Sequence, residues 1–187
     1  LMAGRATFQD GKTVKVTSDG STVQIRAEHV VIATGSAPVE LPFLPFGGKV
    51  ISSTGALALT EVPDKLCVVG GGYIGLEIGT AFAKLGSTVT VVEAASRVLP
   101  QYDNALTRPV MKSLKSLGVE VMTDTKARGL GEAGLLIETA DGAEREIAAD
   151  KVLVTVGRRP LSDSGNIASL GLATDGPFLR IDDQCRT

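Results

Sequence analysis

The sequence predicts an α/β fold, in which a parallel sheet covered by helices is combined with antiparallel β-meanders. A strand, a glycine-rich turn, a helix and a second strand follow one another over residues 66–93. A block of short strands occurs twice, at an offset of 122 residues that relates Asp19 to Asp141. Strands that alternate with helical patterns indicate a parallel sheet, whereas closely spaced short strands joined by turns indicate meanders.

The first block, residues 4–35, is expected to form three antiparallel strands and then a buried apolar strand, residues 30–33, that stops at Thr34-Gly35. Asp19-Gly20 has the signature of a hairpin turn. The same order returns with Asp141-Gly142 and an apolar strand that stops at Gly157. The repeat suggests two nucleotide-binding units of similar build.

Between the two blocks, residues 38–48 are rich in Pro and Gly and are expected to be a linker. An apolar strand then runs into the motif Gly70-x-Gly72-x-x-Gly75. The first glycine allows a tight turn, the second lets the backbone approach a pyrophosphate, and the third lets the helix pack closely on the strand. This order predicts a dinucleotide site with the pyrophosphate at the helix N-terminus.

The helix after the turn is expected to end at Gly86 and to bury an apolar face made of Ile74, Ile78, Phe82 and Leu85. The next strand, residues 88–92, leads to Glu93, whose carboxylate can accept hydrogen bonds from an adenosine ribose. That carboxylate would repel a 2′-phosphate, so NAD is favoured over NADP. Arg97 is the residue that could attract a phosphate instead.

A second helix is expected from Asp103, its cap, to Gly118, with an inner face made of Leu106, Val110, Leu114 and Leu117. Pro109 should kink this helix or make it restart near Thr107. A third parallel strand over residues 119–122, a meander over residues 127–147 and a last strand over residues 152–156 complete the sheet.

Composition excludes several classes of protein. A net charge of −2 and a pI near 5.5 argue against a nucleic-acid partner. No apolar run reaches the roughly 20 residues needed to cross a bilayer, and the first residues lack the pattern of a signal peptide. We therefore expect a cytoplasmic protein without a membrane partner. Cys67 and Cys185 form no paired motif, so a buried apolar role is expected for Cys67 and no metal site is expected.

Four motifs resemble those of the pyridine nucleotide-disulfide oxidoreductases: residues 33–35, 70–77, 92–93 and 156–160. Residues 99–103 and 106–109 are most similar to the dihydrolipoamide dehydrogenase branch, the flavoproteins of bacterial 2-oxo acid dehydrogenase complexes. The resemblance covers nearly the whole chain. It implies a homodimeric enzyme that passes electrons from the dihydrolipoyl groups of lipoyl domains through a disulfide and FAD to NAD.

The resemblance also implies roles for individual residues. Glu93 would bind the ribose of NAD, and the stretch from Gly70 to Glu77 would cradle the pyrophosphate, with Gly71, Gly72, Tyr73, Ile74 and Gly75 in between. Tyr73 could instead cover the nicotinamide pocket or serve only in packing. Gly157 and Arg158 would lie near the nicotinamide half. Glu77 would lie near the nicotinamide as a catalytic candidate, although a solvated acid in the first helical turn is the alternative. Thr34, Gly35 and Ala6 match positions that touch the flavin nucleotide.

The chain is expected to divide into a remnant of a FAD-binding domain (residues 1–42), an NAD-binding domain (residues 43–157) and a return segment (residues 158–187). The redox-active Cys-x4-Cys and the catalytic histidine of the family are not in this sequence. We therefore expect a central part of a longer enzyme that alone binds NAD(H) weakly, retains no FAD and is inactive. One alternative is another flavoprotein reductase, of the NADH oxidase, ferredoxin reductase or mercuric reductase type. The other is a non-enzymatic NAD-sensing module, and the 122-residue repeat argues against this second alternative.

Overall fold

The computed structural model describes residues 1–187, which divide into two compact units: Leu1–Ala37 with Arg159–Thr187, and Pro38–Arg158. The elements in chain order are β1 Arg5–Asp10, β2 Thr13–Ser18, β3 Ser21–Arg26, β4 Ser36–Pro38, β5 Val50–Ile51, α1 Ser53–Leu57, β6 Lys65–Val69, α2 Tyr73–Lys84, β7 Thr88–Val92, α3 Asn104–Ser116, β8 Glu120–Met122, β9 Lys126–Leu130, β10 Gly134–Glu138, β11 Glu144–Ala148, β12 Lys151–Val154, β13 Arg158–Pro160, a 3₁₀ helix Ser164–Leu170, β14 Thr174–Asp175 and β15 Phe178–Leu179. The α/β class predicted from the sequence is confirmed.

In the first unit, β1, β2 and β3 form the expected antiparallel meander. Asp19 and Gly20, with φ of 48° and 78°, make the turn between β2 and β3. The buried strand expected over residues 30–33 is wrong, because these residues adopt no regular structure and Val31 is 86% exposed. An apolar strand is stable when neighbouring strands pair with it and covering elements bury it. Here β1, β2 and β3 pair only with one another.

The second unit is built on a five-stranded parallel sheet of order β5-β12-β6-β7-β8. The expected third strand is β8. Side chains alternate across a strand, so β6 places Leu66 and Val68 in one core cluster and Cys67 and Val69 in the other. The first cluster includes residues of all three helices, and the second includes Leu135 and Ile137 of β10. The sheet therefore lies between a helical layer and the predicted meander β9–β11.

The buried face of α2 differs from the one expected. Its buried residues are Gly75, Leu76, Gly79 and Phe82, whereas Leu85 is 64% exposed and Ile74 and Ile78 are only half-buried. The reason is that α2 meets the sheet through its glycines, which rotates the helix away from the face defined by the bulkiest side chains. Gly86, with φ of 108°, follows the end of the helix as predicted.

Helix α3 begins after Asp103, whose carboxylate accepts a hydrogen bond from the Ala105 N–H at 2.7 Å, as predicted. The expected restart near Thr107 is wrong, because one helix runs through Pro109 to Ser116. Leu106 is 65% exposed, so its place on the inner face is also wrong; Thr107 is buried instead. Leu114 is buried as expected.

The stretch over residues 38–48 is more than a linker, because Leu44 is completely buried in the cluster on the meander side of the sheet. Strand β12 ends at Val154, two residues earlier than expected, which leaves Thr155 and Val156 beyond the strand. No helix combines the length and the apolar character needed to span a membrane.

Candidate functional site

A cavity of about 560 Å³ lies at the carboxyl ends of β6, β7 and β12. Strand β6 pairs with β12 on one side and with β7 on the other. After β6, the chain adds β7 and β8 in one direction and later returns to add β12 on the opposite side of β6. In parallel sheets, ligands bind where the strand order reverses in this way. The lining consists of Val69, Gly70, Gly72, Tyr73, Ile74, Val92, Glu93, Ala94, Pro100, Gln101, Thr125, Ala127, Thr155, Val156, Gly157 and Arg158.

Gly70 makes the turn from β6 towards α2 with a φ of 106°, a conformation that favours glycine. A Cβ at this position would lie 2.7 Å from the carbonyl oxygen of Thr155. Thr155 itself stabilises the turn, because its N–H donates to the Val69 carbonyl at 2.8 Å and its hydroxyl lies 3.3 Å from the Gly70 carbonyl. Sequence reasoning did not identify Thr155 as part of the site.

Gly75 allows α2 to approach β6, as the third glycine of the motif is expected to do. A Cβ on Gly75 would lie 2.4 Å from the Gly70 carbonyl oxygen and 2.5 Å from the Thr155 hydroxyl oxygen. The position therefore accepts no larger residue without movement of the backbone. Since Gly75 does not line the cavity, its contribution is to hold the helix N-terminus close to the sheet edge.

Gly72 is the N-cap of α2, and no side chain caps the helix at this end. A Cβ on Gly72 would have no atom within 4 Å, although the residue lines the cavity. The first N–H groups of a helix have no partners within the helix and carry the positive end of its dipole. The structure thus leaves open space for an anion in front of the helix N-terminus.

Glu93 follows β7 and is half-buried at the cavity wall. Its two carboxylate oxygens accept hydrogen bonds from backbone groups, one from the Gly71 N–H at 2.6 Å and the other from the Ala95 N–H at 2.7 Å. A carboxylate oxygen has two lone pairs, so each one can still accept a ligand hydroxyl. Gly71 is tightly packed here, because a Cβ would lie 2.8 Å from Val98 and 3.1 Å from Glu93.

The other predicted site residues divide between the cavity and the rest of the chain. Tyr73, Ile74, Gly157 and Arg158 line the cavity with the glycine turn. Glu77 does not; it is exposed on α2 and lines a separate apolar groove between α1 and α2. In the first unit, Thr34 and Gly35 lie exposed in an irregular segment, and Ala6 is exposed on β1.

Several lining residues were missed because they occupy loops with no motif of their own. Thr125 is buried, and its N–H donates to the Glu93 carbonyl at 3.0 Å. Pro100 and Gln101 belong to the loop between β7 and α3. A hydrogen bond from the Leu99 N–H to the Gly71 carbonyl, at 3.0 Å, connects this loop to the glycine turn. The resemblance covered residues 99–103 as a motif, but the sequence alone did not indicate that they form a cavity wall.

Cys67 is buried on β6, as predicted. Desolvation by burial, with a further contribution from the Glu120 carboxylate, raises the pKa of the Cys67 thiol to about 12. Because the thiolate is the reactive form, Cys67 is neutral and inert at ordinary pH.

The parallel sheet with its meander has the fold of the flavoprotein disulfide reductases, and the chain belongs to the pyridine nucleotide-disulphide oxidoreductase family, whose model matches residues 1–187. Among curated relatives, the chain is 53% identical to a dihydrolipoyl dehydrogenase of Pseudomonas aeruginosa over 100% of the chain and 40% of that protein. It is 42% identical to the dihydrolipoyl dehydrogenase of Geobacillus stearothermophilus over 100% of the chain and 41% of that protein.

A solved structure with the same fold is that of an HOCl-induced flavoprotein disulfide reductase from Escherichia coli. Its TM-score is 0.81 at 30% identity, over 96% of this chain and 41% of that one. The chain thus spans about two fifths of the length of the relatives that it matches.

Proposed function

We propose that the unit Pro38–Arg158 binds NAD(H), with the pyrophosphate in front of α2 and the adenosine ribose on Glu93. The observation that carries this proposal is Gly72, which caps α2 without a side chain and whose missing Cβ faces open space in the cavity. A nucleotide pyrophosphate has the charge and the size that such a space accommodates. The cavity of about 560 Å³ is within the usual range for ligand sites.

Different residues of the cavity would bind different parts of the nucleotide. The N–H groups at the start of α2, from Gly72 to Ile74, would donate to the pyrophosphate, while Gly70 and Gly75 keep this backbone close to the sheet. Glu93, fixed by the Gly71 and Ala95 N–H groups, would accept the ribose hydroxyls. Gly157 and Arg158 follow β12, on the far side of β6 from Glu93, and would face the nicotinamide half.

The charge at the ribose end favours NAD over NADP. A 2′-phosphate placed beside Glu93 would be repelled by a carboxylate that two backbone hydrogen bonds hold in position. A ribose diol instead donates to the same oxygens. This arrangement supports the expectation that the cofactor is NAD.

We further propose that the whole protein is a dihydrolipoyl dehydrogenase, since relatives with that name match the chain along its full length. When bound, NAD would supply a hydride acceptor for reduced FAD. Glu77, about one helical turn after Tyr73, would lie near the nicotinamide. In the first unit, Thr34, Gly35 and Ala6 would contact the flavin nucleotide. A homodimer that acts on lipoyl domains of a 2-oxo acid dehydrogenase complex belongs to the same proposal.

A second candidate is a flavoprotein reductase with another electron acceptor. This candidate is supported by the similarity to the HOCl-induced reductase, which has a TM-score of 0.81. The two candidates share the NAD(H) site and differ in the substrate that delivers or receives the electrons.

Calorimetric titration of the protein with NADH and with NADPH tests the cofactor proposal. We expect one saturable site that prefers NADH, and a shift of that preference towards NADPH in the double variant Glu93→Arg/Ala94→Ser. An unchanged ratio of affinities in the double variant would mean that the ribose lies elsewhere. The reaction is tested separately with the full-length protein, which should reduce NAD+ in the presence of dihydrolipoamide; no reduction would favour the second candidate.

A further inference from the structure

Arg97, the cation that could have offered a phosphate contact next to Glu93, is engaged in hydrogen bonds within its own loop. Its Nη1 donates to Asn104 Oδ1 at 2.6 Å, and its Nη2 donates to the carbonyl oxygen of Pro100. Asn104 is the first residue of α3, so the helix start supplies the side-chain acceptor. The Arg97 side chain is half-buried and is not part of the cavity lining.

The backbone at Arg97 nevertheless lies beside the proposed ribose position. The next two residues pack on the glycine turn: Val98 is near Gly71, and the Leu99 N–H donates to the Gly71 carbonyl at 3.0 Å. Gly71 in turn donates its N–H to the Glu93 carboxylate. Pro100, which accepts a hydrogen bond from Arg97, lines the cavity. The guanidinium therefore contacts a residue of the cavity wall, and two of its five N–H donors are directed to loop atoms.

The charges of the cavity lining determine how the position of Arg97 would affect binding of a 2′-phosphate. Its lining contains two charged side chains, Glu93 after β7 and Arg158 after β12, on opposite sides of β6. A 2′-phosphate at the ribose end would meet the carboxylate of Glu93 and would gain a charge-assisted partner if Arg97 turned towards it. The hydrogen bonds to Asn104 and to the Pro100 carbonyl oppose that rotation, and the bond to Asn104 is the one that a side-chain substitution can remove.

We infer that Asn104 is a positioning residue for cofactor specificity, which holds the Arg97 guanidinium in the loop and so withholds a cation from the 2′-phosphate of NADP. Glu93 and Asn104 then act in parallel: the first repels the phosphate, and the second prevents its neutralisation. This inference rests on the proposed NAD(H) site and assigns a specificity role to a residue outside the cavity.

The test removes the repulsion first, so that the effect of Arg97 becomes visible. In the Glu93→Gln background, Asn104→Ala should raise the affinity for NADPH about tenfold, the value of one charge-assisted contact at a partly exposed site. The affinity for NADH should stay nearly constant, because the ribose diol carries no charge. Alanine is favourable in a helix, and circular dichroism checks that α3 is retained.

Two further variants separate this role from a general structural one. Asn104→Gln keeps a neutral amide acceptor for Arg97 and should restore the discrimination against NADPH. Arg97→Gln, added to the Glu93→Gln/Asn104→Ala variant, should abolish the gain in NADPH affinity. If the NADPH to NADH ratio does not change on Asn104→Ala, or if the gain persists without Arg97, the inference is wrong. If the unaltered protein binds no NADH at all, the proposed function itself fails.

Discussion

Substitution of Gly75 tests how closely α2 must approach the sheet for the turn to form. In Gly75→Ala, the new methyl group would lie 2.4 Å from the Gly70 carbonyl oxygen, 2.5 Å from the Thr155 hydroxyl oxygen and 2.9 Å from Val68. The shortest of these distances is roughly 1 Å inside an ordinary van der Waals contact. Because the nearest atom belongs to the backbone, no side-chain rotation relieves the overlap.

The expected cost follows from overpacking, which typically destabilises a core by about 1–3 kcal/mol. We place Gly75→Ala at about 2 kcal/mol of lost stability, after the gain in helix propensity that alanine brings. Gly79→Ala is the matched control, since Gly79 is also buried in α2 and its Cβ would lie 3.4 Å from Val68 and 3.5 Å from Val89. That variant should be neutral or more stable by up to about 1 kcal/mol.

Urea unfolding followed by circular dichroism measures both variants under the same conditions. We expect Gly75→Ala to unfold at a clearly lower urea concentration than Gly79→Ala. Equal midpoints for the two variants would refute the reasoning, because they would show that α2 can move from the sheet at Gly75 without loss.

Two further predictions concern single side chains. Burial raises the pKa of the Cys67 thiol to about 12, above its usual value of 9.0. Between these two values the unfolded chain loses the thiol proton while the folded chain keeps it, so the stability of the protein falls as the pH rises. The contribution of Cys67 to stability is therefore complete below pH 9 and declines towards pH 12 by up to about 1.4 kcal/mol per pH unit. Urea unfolding between pH 8 and pH 10 should therefore show a shallower decline in Cys67→Ala than in the unaltered protein, and parallel declines would contradict the assignment. Asp103→Ala should destabilise α3 by about 1 kcal/mol, because it removes the acceptor for the Ala105 N–H; Asp103→Asn, which keeps an acceptor, is the control, and equal losses in both would show that the cap is unimportant.

The sequence was sufficient where local chemistry decides the structure. The glycines of the turn, the Asp103 cap and the glycines that end α2 and α3 carry information in the residue itself, and the structure has each of them where it was predicted. The Asp141-Gly142 turn likewise predicted the meander over residues 127–147, since Asp-Gly between short strands is a hairpin signal.

Other features depend on partners that lie far away in the chain. The face of α2 was misjudged because apolar periodicity gives weight to Ile74 and Leu85, whereas the close contact of Gly75 and Gly79 with β6 decides the orientation. The apolar segment at residues 30–33 looked like a strand, but strand formation requires pairing that its composition cannot report. Thr155 and Thr125 reached the site through tertiary hydrogen bonds, which no local pattern reveals.

The central claim, that the space in front of α2 receives a nucleotide pyrophosphate, is tested most directly by Gly72→Val. The branched side chain would enter the open space that borders Gly72, where a Cβ now meets no atom within 4 Å. Calorimetric titration with NADH, together with circular dichroism of the variant, should show that binding is lost while the fold is retained. A folded Gly72→Val variant with unchanged affinity for NADH would contradict the claim.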